Sequence, residues 1–200
     1  MMFKKLLKWQ ELKSISKKFA LRYPVMWDVG IYGSFVRGKE NIRDIDFAIL
    51  LSQRVSSGEK LSVAQEFKEQ IEKIIFWKQV HVQAVDIDDF LDADFLARQG
   101  ILAESYLVLK DKFLADVLGF RTFVFIFYSL SGLTYSQKKM LYYALQGRRG
   151  EEGVLAEING ELIGKCILKI PLSAYSKIED LLGLHGITFT SEFVMGYKKR

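Results

Sequence analysis

Residues 29–51, VGIYGSFVRGKENIRDIDFAILL, restrict the fold more than any other part of the chain. An apolar run ends at Tyr32, and Gly33 and Ser34 follow it. Arg37, Gly38 and Lys39 come next, and then Asp44 and Asp46 lead into a second apolar run from Phe47 to Leu51. Two such runs, broken by a glycine-containing polar segment, read as two strands. Strand side chains alternate between faces, so Asp44 and Asp46 share one face. Ile45, Phe47, Ile49 and Leu51 take the other, which is the expected core face.

Two carboxylates held that close repel unless a cation sits between them. Oxygen donors with open positions suit Mg2+, which is usually held by one or two carboxylates and substrate phosphates. Gly33-Ser34 supplies the complementary half. A strand that ends in Gly-Ser and opens into a helical turn presents backbone N–H groups to an anion, helped by the helix dipole. Gly33 permits close approach of a phosphate. Ser34 adds a hydroxyl, and Arg37 and Lys39 add positive charge. A triphosphate cradle beside a metal-binding pair is the equipment of metal-assisted nucleotidyl transfer. Either motif alone is common on protein surfaces. The plain alternative is a glycine turn followed by a solvated acidic strand edge, and it leaves both the spacing and the apolar flanks to coincidence.

The segment GSFVRGKENIRDID resembles the signature of the DNA polymerase beta-like nucleotidyltransferase superfamily. That signature is Gly-Ser, a spacer, then Asp-x-Asp. The nearer resemblance is to the minimal nucleotidyltransferases and the kanamycin nucleotidyltransferase type, which favour Gly-Ser-x-x-x-Gly; Gly33, Ser34, Arg37 and Gly38 match. Arg43 stands where such proteins often carry Ser. The resemblance extends over roughly residues 20–112. It implies a third carboxylate on the strand after the next helix, and Asp86, closing QVHVQAVD, is the match. In that role Asp86 joins a second metal ion and helps deprotonate the attacking hydroxyl. The resemblance implies two Mg2+ ions, an NTP substrate with ATP as default, and an unidentified hydroxyl acceptor. It also implies a possible antitoxin-like role beside a HEPN-type toxin.

Along the chain, residues 3–22 read as a helix ended by Pro24, and 25–32 as the first strand. The segment 34–38 reads as a phosphate-binding helical turn, and 46–51 as the second strand. Ser56 caps a helix running to Trp77. Residues 79–87 alternate as a strand that puts Val80, Val82 and Ala84 on the face of Asp86. His81 points the other way and reads as structural. Asp88 and Asp89 read as helix caps. A helix over 90–104, broken near Gly100, and a strand over 105–111 complete a domain of residues 1–112.

The second domain, 113–200, is expected to open with a buried helix over 113–131. A Thr134-capped helix ended by Gly147 comes next, then a hairpin turning at Asn159-Gly160. A helix capped by Ser173, a last strand and a basic tail at 198–200 finish it. It reads as a small α+β domain that selects the acceptor, with a winged-helix, nucleic-acid-binding module as the alternative. Glu151, Glu152, Glu157 and Glu161 around the hairpin argue against phosphate contact. The expected fold class is therefore α+β: a mixed sheet backed by helices, plus a smaller α+β domain.

The composition agrees, with 50% hydrophobic residues and 15 Phe. Net charge of +5 is compatible with nucleotide or nucleic-acid partners without requiring them. The single cysteine, Cys166, excludes an internal disulfide, and two distant histidines do not make a zinc site. No apolar run is long enough to span a bilayer, and no signal peptide is read at the start, so the expectation is a cytoplasmic protein without membrane contact.

Overall fold

The computed structural model describes residues 7–39, 42–75 and 79–197. The start of the first expected helix, Trp77 and the basic tail lie outside them. The chain is α+β and divides into two compact units after Phe120.

The first unit runs α1 (Trp9–Arg22), β1 (Met26–Tyr32), a 3-10 turn (Gly33–Phe35), β2 (Asp44–Leu51), α2 (Ser57–Ile71) and β3 (Gln79–Val85). Then come α3 (Ile87–Leu91), α4 (Ala97–Glu104), β4 (Tyr106–Leu107), β5 (Lys112–Phe113) and α5 (Leu114–Val117). They build a five-stranded sheet in the order β3-β2-β1-β4-β5. The short link after Tyr32 returns β2 antiparallel to β1, whereas the helix α2 carries the chain over so that β3 runs parallel to β2.

One sheet face carries Ile45, Phe47 and Ile49, all fully buried. α1 and α2 cover it with Leu12, Phe19, Phe67 and Ile71. Edge-on ring contacts, Phe19–Phe67 at 5.1 Å and Phe47–Phe67 at 6.3 Å, tie the two helices to β2. Each such buried side chain contributes roughly 1.5–3 kcal/mol. Ser56 starts α2 by accepting the Glu59 N–H at 3.3 Å. On the opposite face Ala48, Leu50 and Val85 pack with Ile101 of α4, Leu107 and Leu114. Leu114 is thus part of the first core, and β5 pairs with β4 through Tyr106 and Phe113. That is why the division falls after Phe120 and not after residue 112.

The second unit contains β6 (Phe120–Tyr128) from Arg121 onward, α6 (Tyr135–Gln146), β7 (Gly147–Arg148), β8 (Glu151–Glu152) and α7 (Val154–Ile158). β9 (Glu161–Gly164), β10 (Ile167–Pro171), a 3-10 turn (Leu172–Ala174), α8 (Tyr175–Leu184) and β11 (Phe189–Tyr197) follow. Its sheet has the order β11-β6-β10-β9. Three expectations fail here. The apolar stretch from 113 is not one helix. Its later part is β6, in which Val124, Ile126 and Tyr128 are buried at every second position. Aromatic and β-branched residues favour a strand, and the period of two separates it from a helix. Nor does a hairpin turn at Asn159-Gly160. Asn159 takes φ 55° to end α7, and the hairpin closes between Gly164 and Ile167. Asn adopts the left-handed region readily, and that preference serves a helix end as well as a hairpin turn. Ser173 falls inside the 3-10 turn and does not cap α8. The Thr134 cap of α6 and the last strand form as expected.

Candidate active site

The register of three adjacent strands builds one row across the sheet. Tyr32 of β1 lies opposite Asp46 of β2, and Asp46 lies beside His81 of β3. Asp44 and Gln79 form the next row toward the start of β2, and Gly30, Ala48 and Gln83 the row behind. The strands alternate, so all these residues share one face. α4 covers the rear of that face, where a Cβ on Gly100 would stand 3.8 Å from the Tyr32 ring.

His81 Nδ1 lies 3.3 Å from Asp46 Oδ1. Asp44, Asp46 and His81 each offer a donor atom within 4.8 Å of the other two. Burial pushes the Asp46 carboxyl above its ordinary value, and the charge of Asp44 pushes it further. The His81 hydrogen bond and the positive charge of Arg37 oppose the rise. Burial, together with Asp46, raises the Tyr32 hydroxyl to about 12. That hydroxyl accepts a hydrogen bond from Gln83 at 2.5 Å and so holds the row behind Asp46 in place.

The Gly33 bend lies against the Asp46 carboxylate. Gly33 has φ 79°, and a Cβ there would come 2.8 Å from Asp46 Oδ2. Gly33→Ala is therefore expected to lose about 1–2 kcal/mol through the left-handed backbone alone. It also displaces the Asp46 carboxylate. Chemical denaturation checks the first effect, and the position of the Asp46 carboxylate in a structure of the variant checks the second.

The phosphate cradle differs from the expected one. The turn after Tyr32 is only three residues of 3-10 helix, Gly33–Phe35, too short to carry the expected dipole. The Gly33 N–H donates to Glu104 Oε2 at 3.0 Å, and Arg37 Nη1 donates to Glu104 Oε1 at 2.9 Å. Glu104 is buried at the end of α4, so an internal carboxylate occupies part of the ground assigned to a phosphate. Ser34 is half-buried and Lys39 exposed beside the bend. They are the predicted phosphate contacts that this carboxylate leaves open.

Asp86 does not join the site. It follows Val85, which pairs with Leu50, roughly 16 Å along the strand from His81. It also belongs to the opposite face, that of Val80 and Ala84, whose β2 partners are Ile45 and Ile49. There it caps α3, accepting the Asp88 N–H at 2.9 Å, and pairs with Lys60 of α2 at 2.9 Å. Asp89 completes the cap by accepting the Asp86 N–H at 2.7 Å. Burial raises the Asp86 carboxyl, but Lys60 and the N–H groups of Val55 and Asp88 outweigh it and hold the group below its ordinary value. A carboxyl depressed on folding stabilises above its unfolded pKa of about 4, and the contribution is lost as pH falls through the folded value. Asp86→Asn should accordingly melt lower than the parent at pH 7. The gap should narrow as pH is taken from about 5 toward 3, which thermal melts across that range will read.

His81, which reads as structural in the sequence, is the residue that joins Asp44 and Asp46. Its signal was present in the alternation, because Gln79, His81 and Gln83 share the face that Asp86 does not. The parity of β3 against β2 was the missing piece. Two carboxylates and an imidazole fit one divalent cation. Among the described residues no third carboxylate lies with them, so a second ion lacks the ligand expected of Asp86. No helix among the described residues is long and apolar enough to cross a membrane. Comparison with family models, with curated proteins and with solved structures finds no match for this chain.

Proposed function

We propose that the chain is a metal-dependent nucleotidyltransferase that moves a nucleoside monophosphate, with AMP as default, from an NTP to an acceptor hydroxyl. The carrying observation is that Asp44, Asp46 and His81 bring donor atoms within 4.8 Å of one another while the Gly33 bend lies against the Asp46 carboxylate, 2.8 Å from where a Cβ would stand. A divalent cation held by Asp44 and Asp46 supplies charge neutralisation at the phosphates. Ser34 and Lys39 orient the triphosphate beside it. Positioning and charge provide most of the catalysis in phosphoryl chemistry, so little more is demanded of the protein. The test is incubation with labelled NTPs, divalent cation and cell extract, followed by identification of the species that carries the label. Transfer to a discrete acceptor supports the reading.

A second reading is nucleotide binding without turnover, in a partner-binding module of the antitoxin kind. The observation that favours it is the departure of Asp86 to the opposite face, which leaves the acceptor hydroxyl without its expected carboxylate base. Saturable NTP binding with no label transferred under any condition selects this second reading over the first.

A further inference from the structure

We infer that Asp44, Asp46 and His81 bind one divalent ion of the Mn2+ class in preference to Mg2+. The inference rests on the site described above but not on turnover.

The argument is one of donor chemistry and reach. Mg2+ takes oxygen donors in a near-ideal octahedron and keeps much of its water. Imidazole suits the first-row transition ions instead. Here the sheet register, and no flexible loop, brings the imidazole to the carboxylates: Asp46 and His81 are neighbours across a parallel pair. Donors bonded at about 2.1 Å to one octahedral ion lie about 3–4 Å apart. The donors of Asp44, Asp46 and His81 already lie within 4.8 Å of one another, so small rotations of the side chains close them on an ion. The pair of carboxylates keeps the set at the hard end of the series, toward Mn2+ and away from thiolate-loving ions. The side chain of His81 is 57% exposed and that of Asp46 25%. The site is therefore open on one side, leaving coordination positions for water or a phosphate. The Lys60 amine holds Asp86 on the other face, away from this group.

The test uses the full chain with Mn2+ and Mg2+ as separate probes, without nucleotide. Calorimetry is expected to give Mn2+ the higher affinity of the two, as imidazole ligation favours transition ions. His81→Ala should lower Mn2+ affinity by about tenfold or more and leave Mg2+ affinity almost unchanged. His81→Asp should narrow the preference by restoring an oxygen donor. Pulsed electron paramagnetic resonance of the Mn2+-loaded parent should detect a directly bonded imidazole nitrogen that His81→Ala abolishes. Melting curves of the apo variants confirm folding, since an exposed side chain contributes little to stability. Equal Mn2+ affinity in parent and His81→Ala, absence of nitrogen coupling, or no Mn2+ binding at all overturns the assignment. Metal binding is read without NTP, so it can stand when label transfer fails, and transfer can stand with Mg2+ when the Mn2+ preference fails.

Discussion

Asp46→Ala is expected to reduce nucleotidyl transfer by at least about 1,000-fold while the melting temperature holds or rises slightly. A loss of that size corresponds to roughly 4 kcal/mol of transition-state stabilisation. It is the order expected of a half-buried metal ligand, the role that the proposed function gives Asp46. Stability should not suffer, and the sign follows from the carboxyl's own surroundings. Burial and the charge of Asp44 raise its pKa on folding. A carboxyl raised on folding costs stability at neutral pH, where it must ionise in the less favourable environment. Removing it relieves that cost and loses the His81 contact, which is a partly exposed pair of small worth. Asp44→Ala should lose transfer to a similar extent. Steady-state transfer assays paired with thermal melts separate the two effects. Parent-like transfer by either variant eliminates the assignment of the site.

The largest expected loss of stability is at Asp28. Its carboxylate is fully buried on β1 and accepts the N–H groups of Val29 at 2.7 Å, Leu109 at 2.9 Å and Lys110 at 3.1 Å. The Lys110 amine stands 3.6 Å from the same carboxylate and lies over the Trp27 ring at 3.8 Å. One side chain therefore binds the segment after β4 onto β1, behind the row that carries Tyr32 and Asp46. Asp28→Ala leaves the amides of 109 and 110 without their acceptor, at about 1–3 kcal/mol each. The expected total is about 3–5 kcal/mol, or on the order of 10 °C in melting temperature for a chain of this size. Asp28→Asn retains one acceptor oxygen and should lose less. Urea melts that place Asp28→Ala within about 1 kcal/mol of the parent contradict this role.

The helices that cover the sheet were legible because their caps and apolar periods agree. Ser56 with Glu59 and Thr134 with Gln137 start helices where expected. The same local logic failed where one residue type serves two purposes. Asn159 ends a helix in the conformation that would have turned a hairpin, and the apolar run over Phe120–Tyr128 is a strand whose burial alternates.

The sequence by itself determined the α+β class, the strand pair on either side of Gly33-Ser34, and the shared face of Asp44 and Asp46, because alternation along a strand is a local property. Only the tertiary structure decided which third residue stands with them. The parallel register of β2 with β3 puts His81 beside Asp46 and sends Asp86 to Lys60 on the other face. It also decided that Glu104 takes the Gly33 amide and that Asp28 is buried. Register and cross-chain partners arise from the pairing of segments distant in sequence, and no period within a single segment encodes them.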